Sequence, residues 1–283
     1  MSNREPSTGL PDVSSDAFQN PTLEPLVAHF TKHQVTACLV VAKRASGKST
    51  LLRALLHAMM STPAARRRFQ LQQCVVFSST SADGIMSDYR FLDPRRVIQG
   101  FQPAVLEKII KYQAKRVKAL KQHADRTGKP VRAPHVCIIL DDVVGGAESV
   151  SRSGPLNWLY ASGRHLAMSC ILCTQSATVC SSPLIKTNST LCLCGPLSPL
   201  QTRALWESTS GLTASFKEFM QWVSLATAEY GFGMFDSHAS STSERIHRIR
   251  ASPDSVPEFR ISAPRELRKK VKNKKKTKQP EAN

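Results

Sequence analysis

Acidic side chains are scarce in this sequence. Its 283 residues hold 21 Asp and Glu against 39 Lys and Arg, a formal charge of +18 and a pI near 9.9. That imbalance points to a polyanionic partner or surface. Long apolar runs are also missing: none approaches the roughly 18–20 residues of a membrane span. The first residues, Met1-Ser-Asn-Arg-Glu-Pro-Ser-Thr, show no apolar signal core. Metal-chelating cysteine patterns are lacking as well. Cys170 and Cys173 have a suggestive spacing, but on a strand they point to opposite faces; Cys192 and Cys194 share a face, and a pair alone makes no zinc site. The eight cysteines lie mainly within apolar runs and read as buried free thiols, with Cys180 in a loop. A reducing, intracellular compartment is expected.

The chain alternates two kinds of segment. Apolar runs of strand length stand at 36–41, 73–78, 135–141, 168–174, 190–194 and 231–235. Several are continuous, such as Val136-Cys-Ile-Ile-Leu140, as in a parallel strand buried on both faces. Helical segments are predicted at 49–60, 103–125, 156–162, 183–187, 199–208 and 215–228. This alternation predicts an α/β fold with a doubly wound, mostly parallel central sheet flanked by helices. Residues 1–24, rich in Ser, Pro, Asp and Asn, are expected to be disordered, with a folded domain over 25–251 and a basic disordered tail over 252–283. Residues 265–283 carry nine Lys or Arg against two Glu, so the remainder is still at +11. The helix from Pro103 presents Val105, Ile109, Ile110, Val117 and Leu120 as a broken apolar stripe. Lys108, Lys111, Lys115, Lys118 and Lys121 lie on its other face. That face is either a solvated surface or a contact to nucleic-acid phosphates.

Residues 42–50 carry the sharpest signal. They read Ala42, Lys43, Arg44, Ala45, Ser46, Gly47, Lys48, Ser49 and Thr50, between a predicted strand and a predicted helix. This is a phosphate-binding loop in its required setting, with backbone N–H groups and the helix N-terminus forming an anion cradle. Lys48 is placed to reach the β- and γ-phosphates of a nucleotide, and the Ser49 hydroxyl to hold Mg²⁺. Ala42 stands where the motif has its first glycine, tolerable if β-region angles suffice there. Hydrolysis needs more. His135-Val-Cys-Ile-Ile-Leu-Asp-Asp-Val143 ends a strand in adjacent acids at the sheet edge where ligands bind. Asp141 would orient Mg²⁺ and Asp142 would polarise the attacking water. The next strand ends at Gln175, either a γ-phosphate sensor or an ordinary strand-end residue. Arg164 is a candidate arginine finger acting on a neighbouring subunit's site, or else a surface arginine. His165 beside it reads as structural, packing at the start of the following strand. No Asn-Lys-x-Asp guanine-reading motif occurs, which disfavours a GTPase. No lid of clustered arginines is obvious beyond Arg66-Arg-Arg68, which disfavours a small-molecule kinase.

With these elements in place the chain resembles the poxvirus-type DNA-packaging ATPases of large double-stranded DNA viruses and related mobile elements, a branch of the FtsK–HerA class of P-loop motors. The resemblance runs in order over roughly 34–251. It rests on Ala-Ser-Gly-Lys-Ser-Thr50, Ile-Ile-Leu-Asp-Asp142, Gly163-Arg-His-Leu-Ala-Met-Ser-Cys-Ile-Leu-Cys-Thr-Gln175 and Ser182-Pro-Leu-Ile-Lys-Thr-Asn188. Tyr230-Gly-Phe-Gly-Met-Phe-Asp236 and Arg245-Ile-His-Arg-Ile-Arg250 match the family's final strand and closing basic segment. Lys186 departs from the family's usual Arg, keeping the charge but losing the bidentate fork. The resemblance implies ATP hydrolysis with Mg²⁺ at the subunit interfaces of a homo-oligomeric ring around double-stranded DNA, with capsid or portal components as partners. DNA would be held non-specifically through its phosphates. The alternatives are a helicase or recombination-type NTPase, and a non-enzymatic DNA-binding capsid adaptor with a decayed P-loop. The basic tail reads as a nuclear import signal, a DNA tether, a contact to an acidic partner, or a solvated extension. Expected locations are the host nucleus or a cytoplasmic virus factory, and the virion itself.

Overall fold

The structure is a computed structural model that describes residues 10–68, 73–79, 89–143, 150, 152–177, 182–208, 215–239, 242–252, 256–259 and 261. Eight strands form one sheet: β1 (Ala37–Val41), β2 (Cys74–Ser78), β3 (Val97–Gln99), β4 (Val136–Asp141), β5 (Met168–Thr174), β6 (Leu191–Cys194), β7 (Gly231–Asp236) and β8 (Ile246–Arg250). Their spatial order is β3-β2-β4-β5-β1-β6-β7-β8. The first six run parallel, while β7 and β8 are antiparallel additions at one side. Every residue of β1, β4, β5 and β6 is buried, which is why these segments are continuous apolar runs.

The helices are α1 (Asp16–Gln19), α2 (Glu24–Lys32), α3 (Lys48–Ser61), α4 (Pro63–Arg68), α5 (Pro103–Thr127), α6 (Gly154–Ser162), α7 (Pro183–Asn188), α8 (Pro199–Ser208), α9 (Phe216–Ala226) and α10 (Thr242–Arg245). They cover both faces of the sheet. On one face Leu26 and Phe30 of α2 and Leu51, Leu55 and Met59 of α3 pack over Val40, Ile139, Ile171 and Cys173. On the other Leu106, Leu156, Leu159, Phe219 and Trp222 pack over Leu39, Ile138, Cys170 and Leu172. Each such side chain contributes about 1.5–3 kcal/mol by leaving water. Cys170 and Cys173 do fall on opposite faces, and the seven described cysteines are buried and free; Cys180 lies outside the described residues. Burial pushes the Cys194 thiol up to about 12.

Two expectations of disorder need correction. Residues 10–24 include α1, where buried Phe18 meets the Trp222 ring edge-on and its carbonyl accepts from Arg248 Nη1. At the other end the Ile261 N–H donates to the Phe91 carbonyl and Phe259 stacks on Phe91. Apolar side chains at 18, 259 and 261 hold these polar segments to the core. The rest of the tail, 262–283, lies outside the described residues. In α5, Pro103 occupies the first turn and Gly128, at φ +64°, ends the helix. Its five lysines are all exposed, and Lys111 pairs with Glu107 at 2.6 Å. The buried Gln113 amide donates to the Pro134 and Leu166 carbonyls, both at 2.8 Å, and so docks the helix on the starts of β4 and β5.

Strand register gathers the carboxyl ends of β2, β4, β5 and β1. Ser78 lies beside Asp141, Asp141 beside Cys173, and Thr174 beside Val41. Ala42 continues β1 by one residue: its N–H donates to the Thr174 carbonyl, and its φ is not in the left-handed region. Glycine is therefore not required at 42. It is required at 195, where an added Cβ would lie 2.5 Å from the Ala42 Cβ and 3.1 Å from the Phe232 ring. Gly195→Ala should cost about 1–3 kcal/mol by overpacking, and adding Ala42→Gly should restore part of the loss. Chemical denaturation of the two single variants, the double variant and the parent checks this; strict additivity would contradict the contact.

Candidate active site

The loop between β1 and α3 owes its shape to two left-handed residues, Ala45 at φ +57° and Gly47 at φ +89°. Such alternation turns successive backbone N–H groups toward one concavity. Gly47 is the cap of α3, so the helix N-terminus opens into the same space. The cleft in front of it has a volume of about 830 Å³ and is lined by Arg44 to Thr50, Asp141, Asp142 and Gln175. Seven of the nine loop residues singled out in the sequence line it. Ala42 and Lys43 do not: Ala42 is buried against Gly195, and both offer carbonyl oxygens to Lys48 instead.

Lys48 is buried, and its Nζ donates to the Ala42 carbonyl at 2.8 Å and the Lys43 carbonyl at 2.7 Å. Burial draws its pKa below the ordinary lysine range, against the opposing pull of Asp142 and Asp141. The ammonium is thus held inside the loop by two bonds it can exchange for an anion's oxygens. Ser46 braces the same turn, its hydroxyl donating to the Lys43 carbonyl at 2.7 Å. Ser49 Oγ lies 3.5 Å from Asp141 Oδ2, so strand β4 and helix α3 present two oxygen donors to one point. Asp141 also accepts the Tyr89 hydroxyl at 2.6 Å.

Asp142 has left the strand and sits at φ +49°, a conformation costly for a residue with a side chain. That twist brings its Oδ1 within 2.6 Å of the Gln175 Nε2, which donates to it. Gln175 is itself held: its carbonyl accepts from Gln201 Nε2 of α8 at 3.0 Å. Lys48, Ser49, Asp141, Asp142 and Gln175 therefore converge at one sheet edge. Arg164 does not join them. It is exposed in the short turn Gly163–Leu166 before β5, at the opposite end of that strand, on the order of 20 Å away along seven residues. His165 is exposed too. The histidine that packs at that end of the sheet is His135, whose Nε2 lies 2.8 Å from Ser169 Oγ; burial lowers its pKa to about 3.

The far wall of the cleft escapes the sequence reading. Tyr230, Phe232, Arg250 and Ala251 close it from β7 and β8. Tyr230 is 65% exposed, yet its ring stands over Gly47, and both Glu229 and Tyr230 have positive φ. Arg250 reaches the cleft paired with Glu229 at 3.2 Å. Consecutive left-handed residues with side chains are a mark of strained functional segments. The strain at Asp142 gives a direct test. Asp142→Gly should unfold later than Asp142→Ala by about 1 kcal/mol, because both lose the Gln175 bond and only glycine relieves the backbone. Equal midpoints in denaturant would contradict a strained residue 142.

No protein-family model matches the chain, and no curated protein matches it by sequence. Solved structures match it in architecture. ATPases 2 and 3 of EssC from Geobacillus thermodenitrificans are similar with a TM-score of 0.53 at 14% identity, over 89% of this chain and 46% of that one. The genome packaging NTPase B204 from Sulfolobus turreted icosahedral virus 2, solved with sulfate, is similar with a TM-score of 0.50 at 13% identity, over 78% of this chain and 98% of that one. Identities this low speak to fold alone. The chain has the fold of the P-loop NTPases, a mostly parallel sheet flanked by helices with the loop of residues 42–50 at its carboxyl edge.

Proposed function

We propose that this chain is an ATP-hydrolysing DNA translocase of the poxvirus-type packaging branch, which drives a double-stranded viral genome into a capsid. The observation that carries the hydrolytic part is the convergence of Lys48, Ser49, Asp141, Asp142 and Gln175 on one cleft. ATP would lie with its phosphates in the loop, and Lys48 would trade its two carbonyl partners for β- and γ-phosphate oxygens. Ser49 and Asp141 are a hydroxyl and a carboxylate in near contact, the oxygen donors that suit Mg²⁺. When bound, that ion would neutralise phosphate charge. Asp142 would take a proton from water as the water oxygen bonds to the γ-phosphorus and the bond to the β-phosphate oxygen breaks. ADP and phosphate result, with the proton left on Asp142. Gln175, tied to Asp142, would orient the water. Tyr230 would cover the nucleotide from the β7 side.

Support for the DNA part comes from charge and from architecture. The chain is at +18, and α5 exposes five lysines, of which Lys111 pairs with Glu107. The similar B204 structure is named a genome packaging NTPase. In a homo-oligomeric ring, Arg164 would serve a neighbouring subunit's cleft, since it lies far from its own. Capsid or portal components, and a nuclear or virus-factory location, belong to the same proposal. ATP turnover on size-resolved oligomers tests it. Duplex DNA should accelerate turnover; Lys48→Ala should abolish it, and Asp142→Asn should lower it about 100-fold or more while ATP still binds. No turnover with DNA and Mg²⁺ would contradict the proposal and favour a decayed loop.

A further inference from the structure

At the opposite end of β7 from the cleft, three histidines and an aspartate meet. His29 lies in the last turn of α2 and His33 caps that helix in extended conformation, so both sit at its carboxyl end. Asp236 ends β7 beside Leu191, the first residue of β6, and His238 follows two residues on. One ligand atom from each of the four lies within 4.8 Å of the others. The rings are in contact: His29 and His238 each have a centroid 4.5 Å from that of His33, and His29 and His238 are nearly parallel at 6.1 Å.

The geometry points to a zinc site, built from His29, His33, Asp236 and His238, that staples α2 to the end of β7. Nitrogen donors with one carboxylate suit a tetrahedral transition ion and not Ca²⁺ or Mg²⁺, which select oxygens. Tetrahedral ligands around zinc stand about 3.3 Å apart, so the cluster must contract by roughly an ångström or more at its widest. The exposed His238, beyond the end of the strand, has the freedom to supply that movement. His29 is buried, with Nδ1 2.5 Å from Asp236 Oδ2, and its Nε2 finds no hydrogen-bond partner among the described residues. A buried polar nitrogen without a partner is costly in protein interiors, and a metal ligand there would remove the cost. Asp236 is oriented from behind as first-rate ligands are, its Oδ1 accepting the His238 backbone N–H at 2.8 Å.

The role is structural. The site lies at the amino edge of the parallel strands, three strand residues beyond Gly233, which pairs with Cys194 next to the loop. It would fix α2, which packs on α3, to the strand that carries Tyr230 and Phe232 at its other end.

The test uses the full-length, untagged chain after chelator treatment. Titration with Co²⁺ should give the intense visible bands of a tetrahedral ion, saturating at one per chain, and Zn²⁺ should displace them. Saturating Zn²⁺ should raise the unfolding temperature on the order of 5 °C. His33→Ala with His238→Ala, both outside the deep core, should remove the bands and the shift while leaving the circular dichroism of the metal-free chain unchanged. Absent bands in the parent chain, or bands that survive the double substitution, would overturn the site. Neither readout involves nucleotide, so the result stands apart from the proposed ATPase.

Discussion

The position of β1 governs the rest of the molecule. It lies between β5 and β6 with both faces buried, and its last residue is level with Thr174 and Cys194. That registration delivers the loop to the edge where β4 and β5 end. Gly195 is closely flanked there by Ala42 and Phe232, with no room for a Cβ of its own. The alanine that departs from the phosphate-loop pattern is thus accommodated by a glycine 153 positions later. The concave turn in front of α3 is made by Ala45 to Ser49, and residue 42 serves it as backbone and filler.

The cleft is held in order by internal bonds. Lys48 is tied to two loop carbonyls, Asp141 to Tyr89, and Asp142 to Gln175. Each bond satisfies a polar group that burial would otherwise penalise, which keeps the site in one conformation. The cost of that order is visible at Asp142, Glu229 and Tyr230, all at positive φ around the same cleft. Among the described residues, four of the five non-glycine positions at positive φ lie at the carboxyl edge, and the fifth, Ala167, precedes β5 at the other edge. A rigid platform under a strained rim is the arrangement expected where precise placement matters more than local stability.

Legibility in the sequence followed burial. Five of the six parallel strands, and β7, were readable because strands covered on both faces leave continuous apolar runs. Short β3 and edge strand β8 were not. Ile246-His-Arg-Ile-Arg250 reads as a basic segment, yet Arg248 donates to the Ala226, Phe18 and Ala228 carbonyls and lies over the Phe18 ring. There the Arg248 charge secures the chain to itself. Lys48, Ser49, Asp141, Asp142 and Gln175 were legible since each sits at a fixed offset from a strand end. Tyr89 reaches Asp141 from a turn 52 residues earlier, and Tyr230 and Arg250 reach the cleft through antiparallel pairing, so no local spacing announces them. The histidine cluster lies between these cases. His29 and His33 have a helical ligand spacing, but their partners lie more than 200 residues away.

Translocation on duplex DNA is the central claim, and displacement of a triplex-forming oligonucleotide from linear duplex tests it most directly. The oligomer with ATP and Mg²⁺ should strip the third strand at a rate that follows ATP turnover, with no release by Lys48→Ala or with a non-hydrolysable analogue. Turnover without release, or release without ATP, would contradict the account.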